Sequence, residues 1–401
     1  MRASGEHGTI GRLRLIILAF AIVLLAADLG PALSFIRALF DGGLTPSLVD
    51  SDFVNYWMGA HLAQTGAQAD LFTQSSYFLR LEEEFGPQRQ IRAFSYPPHI
   101  LLPLFPLGYL PYETAFALFL CLTLALFVAG AEIFRRAELP DADRLVVFAV
   151  LAAYATVNLG AGQNGFLTGA LLLVGLAWRG RHPVLAGVAF GLLSVKPQLG
   201  LLIPLLLLIE RDWMTILWSV VVTIALVALS AFTFGIEVWE AYLTVSIAEQ
   251  SRVLTEWTGP FLHMMPTVFV AVRTLGLDSS IAGHAQLLVS LAVFVAVIWL
   301  FLRDRSRSRK AFGLLCGTFL FVPYGFNYDM GALAVVSAAL LTGQGIVARQ
   351  FVARAALALV AILPPFVLPL SLAGAPIAPI LLAAAMWAIL LTTYRATADT
   401  G

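Results

Sequence analysis

A lysine stranded in apolar sequence is the sharpest chemical feature of this chain. Only two lysines occur, Lys196 and Lys310, and arginine supplies every other side-chain cation. Lys310 closes a basic cluster, Arg303–Lys310. Lys196 instead interrupts GVAFGLLSVKPQLGLLIPLLLLI, a run otherwise free of charge. An ammonium in such surroundings demands a carboxylate partner or an anionic ligand. The plainer alternative is a lysine whose stem lies in the apolar zone while its head reaches the interface. Pro197 follows directly, which points to a helix break beside a cavity. Asp52 is the second candidate. In Asp50-Ser51-Asp52-Phe53 an aspartate can cap the amides of a following helix, or act as general base towards a hydroxyl. Asp50 competes for that role, and local chemistry does not separate the two.

Further polar residues cluster in short turns. Pro323-Tyr324-Gly325-Phe326-Asn327-Tyr328-Asp329 offers Tyr324, Asn327, Tyr328 and Asp329, and Gly162-Gln163-Asn164 offers Gln163 and Asn164. The last two could equally satisfy helix ends. Tyr96 and His99 lie in a proline-rich stretch, and Arg252 sits between Glu249 and Glu256, where each reads as an ordinary loop residue unless geometry gives it more. Several chemistries have no motif: there is no phosphate-cradling GxxxxGK[ST] loop, no HExxH or Cys/His cluster and no GxSxG elbow. Neither cofactor nor metal is expected. Cys121 and Cys316 have no metal spacing and read as small buried hydrophobes.

The elements that position these residues are membrane helices. The 401 residues are 60% hydrophobic and 12% charged, with a mean hydropathy of +0.87, whereas soluble domains are about a quarter charged. Zero formal net charge gives no reason to expect nucleic acid. Apolar runs occupy Leu13–Leu33, Tyr112–Phe134, Leu145–Leu159, Gly165–Trp178, Pro183–Val195, Gln198–Ile209, Met214–Phe234, His284–Leu302, Ala311–Phe326, Met330–Val347, Ala355–Leu370 and Pro376–Leu391. Several fall short of the roughly 20 residues of a full span. Basic residues bias a loop to the cytoplasm. With Arg2, Arg12 and Arg14 inside, alternation also puts Arg135, Arg136, Arg144, Arg179, Arg181, Arg211, Arg303–Lys310, Arg349, Arg354 and Arg395 inside. This predicts an all-α polytopic protein, one membrane-embedded unit over 1–401, with about twelve crossings and both ends cytoplasmic. The first span reads as a retained signal anchor.

Tyr96–Leu110 (YPPHILLPLFPLGYL) is apolar enough to span, but its prolines oppose a regular helix and counting it would put the basic clusters outside. It is expected to lie on or dip into the outer surface. Two large outer loops result, 34–111 and 235–283. The first should carry two amphipathic helices lying in the interface plane: Phe53–Ala63, through Val54, Trp57, Met58 and Leu62, and Leu71–Phe85, through Leu71, Phe78, Leu81 and Phe85. The pairs Gly165/Gly169 and Gly187/Gly191 read as helix-packing contacts.

SDFVNYWMGAHLAQTGAQADLF, FSYPPHILLPLFPLGYLP, GQNGFLTGALLLVGLAW and AGVAFGLLSVKPQLGLLIPLLLLIERDW, in that order, resemble glycosyltransferase family 87, the polyprenyl-phosphate-mannose-dependent alpha-mannosyltransferases of the GT-C superfamily. The likeness covers roughly Asp52 to Trp213, with a weaker echo at VPYGFNYDMG. It implies a GT-C-like fold in a bacterial inner membrane. It also implies inverting transfer of a hexose, usually mannose, from a polyprenyl-phosphate carrier to a lipid or glycan hydroxyl on the periplasmic face. Asp52 would then be the base, Lys196 with help from Arg252 would neutralise the leaving phosphate, and Gln163 and Asn164 would bind sugar or phosphate oxygens. The Tyr-Pro-Pro segment, with Tyr96 and His99, would border the groove for the lipid carrier. The best-known members carry histidine near the turn that here holds Tyr324, Asn327, Tyr328 and Asp329, which leaves acceptor and sugar open. Two rival classes remain: a transporter or flippase with Lys196 and Asp329 as a buried substrate site, and a non-catalytic assembly partner.

Overall fold

The computed structural model describes residues 14–27, 51–87, 92–343 and 351–398; Arg2, Arg12, Asp50 and Arg349 lie outside them. Among the described residues the regular elements are all helical. In chain order the main ones are α1 (Arg14–Ala27), α2 (Phe53–Thr65), α3 (Gln74–Phe85), α4 (Tyr112–Glu138), α5 (Arg144–Ala161) and α6 (Gly165–Trp178). There follow α7 (Pro183–Val195), α8 (Pro197–Glu210), α9 (Trp213–Phe234) and α10 (236–255, with a π turn at Tyr242–Ser246). The rest are α11 (Val268–Thr274), α12 (Ser279–Arg303), α13 (Arg307–Phe321), α14 (Gly331–Thr342), α15 (Phe351–Ile362) and α16 (Ala378–Ala398).

The apolar runs of the sequence coincide with helices, but several of these helices are shorter than a full span. Among the described residues, α4, α5, α9, α12 and α16 are long and apolar enough to cross a bilayer. A sixth crossing forms if α15 and the segment Pro364–Leu372, bent by 63° at a break, are taken together. The shorter helices have local causes. Gly162 and Gly180 adopt positive φ (63° and 68°) at either end of α6, a conformation glycine reaches without a Cβ penalty. Pro197, lacking an amide hydrogen, separates α7 from α8 at Lys196.

The segments expected to lie outside depart from the sequence reading in two respects. α3 is amphipathic as its pattern predicts, with Tyr77 and Leu81 buried while Glu83 and Glu84 are exposed. Leu71 falls in a separate 3-10 turn, Gln68–Phe72. α2 is not an interface helix: Phe53 through Ala60 and Leu62 are all buried. Its apolar spacing was a poor guide because the interspersed Asn55 and Tyr56 are enclosed too. The proline-rich 96–110 segment encloses it from one side, as short 3-10 turns around a single α turn, Leu101–Leu104. Trp57 Nε1 donates to the Leu110 carbonyl (3.0 Å) and Gln64 Nε2 to the Phe105 carbonyl (2.7 Å). Gly108 lies so close to Ala60 that a Cβ there would meet its carbonyl oxygen at 2.9 Å.

Small residues set the helix pairs. A Cβ on Gly187 or Gly191 would meet Trp218 or Val222 of α9 at 2.4 and 2.6 Å, and one on Gly169 would meet Phe127 of α4 at 2.7 Å. The connections then alternate between two ends. At one end ion pairs join Arg179 and Lys310 to Glu210 (3.0 and 3.1 Å), Arg181 and Arg307 to Glu138 (2.9 and 3.0 Å), and Arg309 to Asp304 (2.6 Å). The opposite ends of α4 to α8 and of α13 and α14 carry Tyr112, Gln163, Lys196 and Asp329, and there a pocket opens.

Candidate active site

The pocket is lined by Asp52, Asn55, Arg92, Ser95, Tyr96, Gln163, Lys196, Pro197, Tyr242, Gln250, Trp257, Phe261, Tyr324, Phe326 and Tyr328, among others. Asp52 occupies the N-cap position of α2, yet its carboxylate caps nothing. Its backbone amide instead donates to the Ala161 carbonyl (3.0 Å), anchoring it to the end of α5. This frees the side chain, 30% exposed, to face the cavity. Gln163 Nε2 donates to Oδ2 at 2.8 Å, and Arg92 Nη1 lies 3.5 Å from Oδ1.

Gln163 cannot rotate freely. Its Oε1 accepts from Tyr56 (2.5 Å) and from Tyr96 (3.0 Å), and the two hydroxyl oxygens lie 2.7 Å apart. Two phenols on the carbonyl side leave the amide nitrogen for Asp52. Burial pushes the Asp52 carboxyl above its ordinary value, and the Gln163 hydrogen bond, then Arg92 and Lys196, pull it partly back. A carboxylate held in this way is a better base than a solvated one, because its charged form is poorly hydrated.

Lys196 forms the other wall. Its ammonium donates to Asp329 Oδ1 at 2.7 Å, with both side chains buried, and lies 4.8 Å from the centre of the Tyr328 ring. The turn that carries Asp329 is wedged against α6. A Cβ on Gly165 would meet the Tyr328 carbonyl oxygen at 1.8 Å, and that oxygen also accepts from Tyr154. The backbone approach at Gly165 therefore sets the height of the lysine's partner.

The structure brings Asp52, Lys196, Gln163, Tyr96, Tyr324 and Tyr328 to one cavity, with Asp329 directly behind Lys196. It does not bring the others there. Arg252 is exposed and paired with Glu249 (3.1 Å) and Glu256 (3.3 Å). His99 is buried against Ser194 (3.0 Å) and stacked on Trp239, outside the lining. Asn164 is buried behind Gln163, and Asn327 donates to the Pro364 carbonyl at 3.2 Å. Arg92, Tyr56, Asn55, Gln250 and Trp257 went unremarked in the sequence. Arg92 did carry a signal: an arginine in a segment expected to lie outside opposes the inward bias of basic residues and needs another reason to be there.

A second concavity meets the first at Pro197. It runs between α7, α8 and α9, is lined almost entirely by carbon, and includes Leu193, Leu201, Ile203, Leu207, Val220 and Ile224. Leu201, Val220 and Ile224 are exposed there. Among the described residues no group of His, Cys, Asp and Glu side chains is disposed to hold a metal.

Residues 94–323, more than half of the chain, match the model of glycosyltransferase family 87. No curated protein and no solved structure matches the chain.

Proposed function

Since the chain belongs to glycosyltransferase family 87, and so is a glycosyltransferase with apolar membrane helices, we propose that it moves a hexose, mannose in the first instance, from polyprenyl phosphate to a lipid or glycan hydroxyl. In this reading about twelve crossings keep both ends in the cytoplasm, and the pocket faces the periplasm of an inner membrane. Asp52 takes the proton of the acceptor hydroxyl, and the freed oxygen attacks the anomeric carbon. The bond from that carbon to the phosphate oxygen breaks on the opposite face, inverting the centre and releasing polyprenyl phosphate. Charge grows on the departing phosphate, and fixed cations stabilise such charge most effectively where water is excluded.

Lys196 is the cation for that purpose, held in place by Asp329. Arg92, rather than Arg252, is the arginine within reach, since Arg92 lines the pocket and Arg252 pairs with exposed acids. The carrier chain runs past Pro197 into the carbon-lined groove between α7, α8 and α9, where its only demand is apolar surface. The observation that carries the reading is the meeting of a base, a buried cation and a lipid-suited groove at one cavity. The test uses purified protein, radiolabelled polyprenyl-phosphate mannose and membrane-lipid acceptors. Wild type should transfer label, and Lys196→Met should not. Transfer by wild type from a water-soluble nucleotide sugar alone, or equal transfer by Lys196→Met, would overturn it.

A further inference from the structure

Four aromatic rings run in succession away from Lys196. The Tyr328 ring lies beneath the ammonium, and Phe326 stacks on Tyr328 at 4.8 Å and 8°. Phe261 meets Phe326 at 4.9 Å and 56°, and Trp257 meets Phe261 at 6.3 Å and 54°. All four line the pocket. Phe326 and Tyr328 are buried, Phe261 and Trp257 are half-buried, and residues 258–260 are exposed, so the series climbs from the cation to the outer surface.

The series is fixed by its backbone. Arg273 donates to the carbonyls of Leu254 and Trp257, holding the loop that presents Trp257. The Asn327 amide donates to the Met264 carbonyl at 2.9 Å, tying the lower rings to the same loop. Aromatic side chains so held bring a flat carbon face without paying much ordering entropy on binding.

The rings share the cavity with polar side chains. Asp52, Asn55, Arg92, Ser95 and Gln250 line the same cavity, offering carboxylate, amide, guanidinium and hydroxyl groups. A pyranose has the matching two-sided chemistry: one face of C–H bonds that packs on an aromatic plane, and a rim of hydroxyls that needs donors and acceptors. A bare aliphatic alcohol would gain nothing from the polar wall. The groove beyond Pro197, by contrast, is aliphatic and has almost no polar lining.

We propose that Trp257, Phe261 and Phe326 form a carbohydrate platform, and that the acceptor hydroxyl is presented on a sugar ring. This rests on reading the pocket as a site of glycosyl transfer, and it narrows the acceptor from lipid or glycan to glycan. Saturation-transfer NMR on the purified chain in nanodiscs tests it, using methyl α-mannopyranoside, methyl α-glucopyranoside and, as control, glycerol. Ring C–H protons of at least one glycoside should receive saturation, and glycerol should not. The signal should vanish in Trp257→Ala and Phe261→Ala and persist in Trp257→Phe. In transfer assays Trp257→Ala should raise the acceptor KM on the order of tenfold, with the donor KM unchanged. Thermal unfolding midpoints check that each variant is folded.

Aromatic residues also anchor proteins at membrane interfaces. If that is their role, the alanine variants will keep the saturation signal, and the platform is refuted. Absence of signal in wild type refutes it equally. Transfer to a simple alkyl alcohol as efficient as to a glycoside removes the platform but leaves the reaction. Glycoside binding without any transfer from polyprenyl-phosphate sugar supports the platform while removing the reaction.

Discussion

Separating Lys196 from Asp329 is the most informative perturbation, because the pair is both a structural joint and the proposed cation holder. The ammonium and carboxylate are 2.7 Å apart with side-chain exposures of 5% and 0%. At that separation and an effective dielectric constant of about 20, their attraction is roughly 6 kcal/mol. Desolvation of both groups offsets much of this, so the intact pair contributes little net stability. Removing one partner leaves the other buried and uncompensated, which costs about 3–5 kcal/mol. Lys196→Met and Asp329→Leu should therefore each destabilise by that amount. The double variant should recover most of it, since two apolar side chains replace two charges. Chemical denaturation in detergent micelles measures all four corners of the cycle, alongside transfer from polyprenyl-phosphate sugar. The double variant should be nearly as stable as wild type, with transfer about 100- to 1000-fold lower, the cost of losing a group that meets developing charge. Strictly additive destabilisation would show that the two residues do not act as a pair. Recovered activity in the double variant would remove Lys196 from the chemistry.

Three further outcomes follow from the same geometry. Asp52→Asn should lower kcat by about 100- to 10,000-fold. The folded-state pKa of Asp52 is raised by burial, so any stability it contributes is present below its unfolded pKa and lost as pH rises through the folded one. Denaturation at neutral pH should accordingly find the asparagine variant no less stable than wild type. The acid limb of kcat/KM should lie above the usual carboxylate range. Gln163→Ala removes a hydrogen bond that lowers this pKa, so a pH–rate profile should move the limb still higher and the loss should be larger at pH 5 than at pH 8. Gly165→Ala should destabilise by about 1–3 kcal/mol through overpacking, whereas Gly160→Ala, with nothing within 4 Å of the added methyl, should not. Equal unfolding midpoints for the two variants would show that the turn carrying Asp329 can give way.

Much of this architecture is legible in the sequence, for physical reasons. Charge is so costly in lipid that Lys196 stood out by being present at all, and its partner lies at the single turn rich in polar groups on the far side of the sequence. The apolar runs located the helices, since lipid leaves backbone groups no other partners. Helix length was less legible. A run such as Gly165–Trp178 shows where a helix lies, but not that positive-φ glycines cut it short at both ends. α2 misled because burial around its whole circumference depends on the 92–111 segment, packed over it from forty residues away. The Tyr56–Tyr96–Gln163 cluster was illegible for the same reason: hydrogen bonds spanning 40 to 107 residues leave no local pattern. Arg252 looked right by its place in a loop expected to lie outside. Its acidic neighbours at i−3 and i+4 account for it instead, and pairs at those spacings are ordinary helix-surface contacts.

The ion pairs at the far end from the pocket have a consequence for the membrane itself. A cavity containing a carboxylate, a guanidinium and an ammonium is a hazard in a membrane that holds a voltage, because it offers hydrated ions a place to start across. Between Gln163 and Arg179, however, α6 contributes fourteen residues, about 20 Å of helix, and buries Phe166, Leu173 and Leu176. Below them Glu210 and Glu138 each hold two cations in ion pairs, and Asp304 holds Arg309. The recess thus sits on buried apolar packing, and in the proposed membrane setting that layer would stand as a barrier to ions between its charges and the far side.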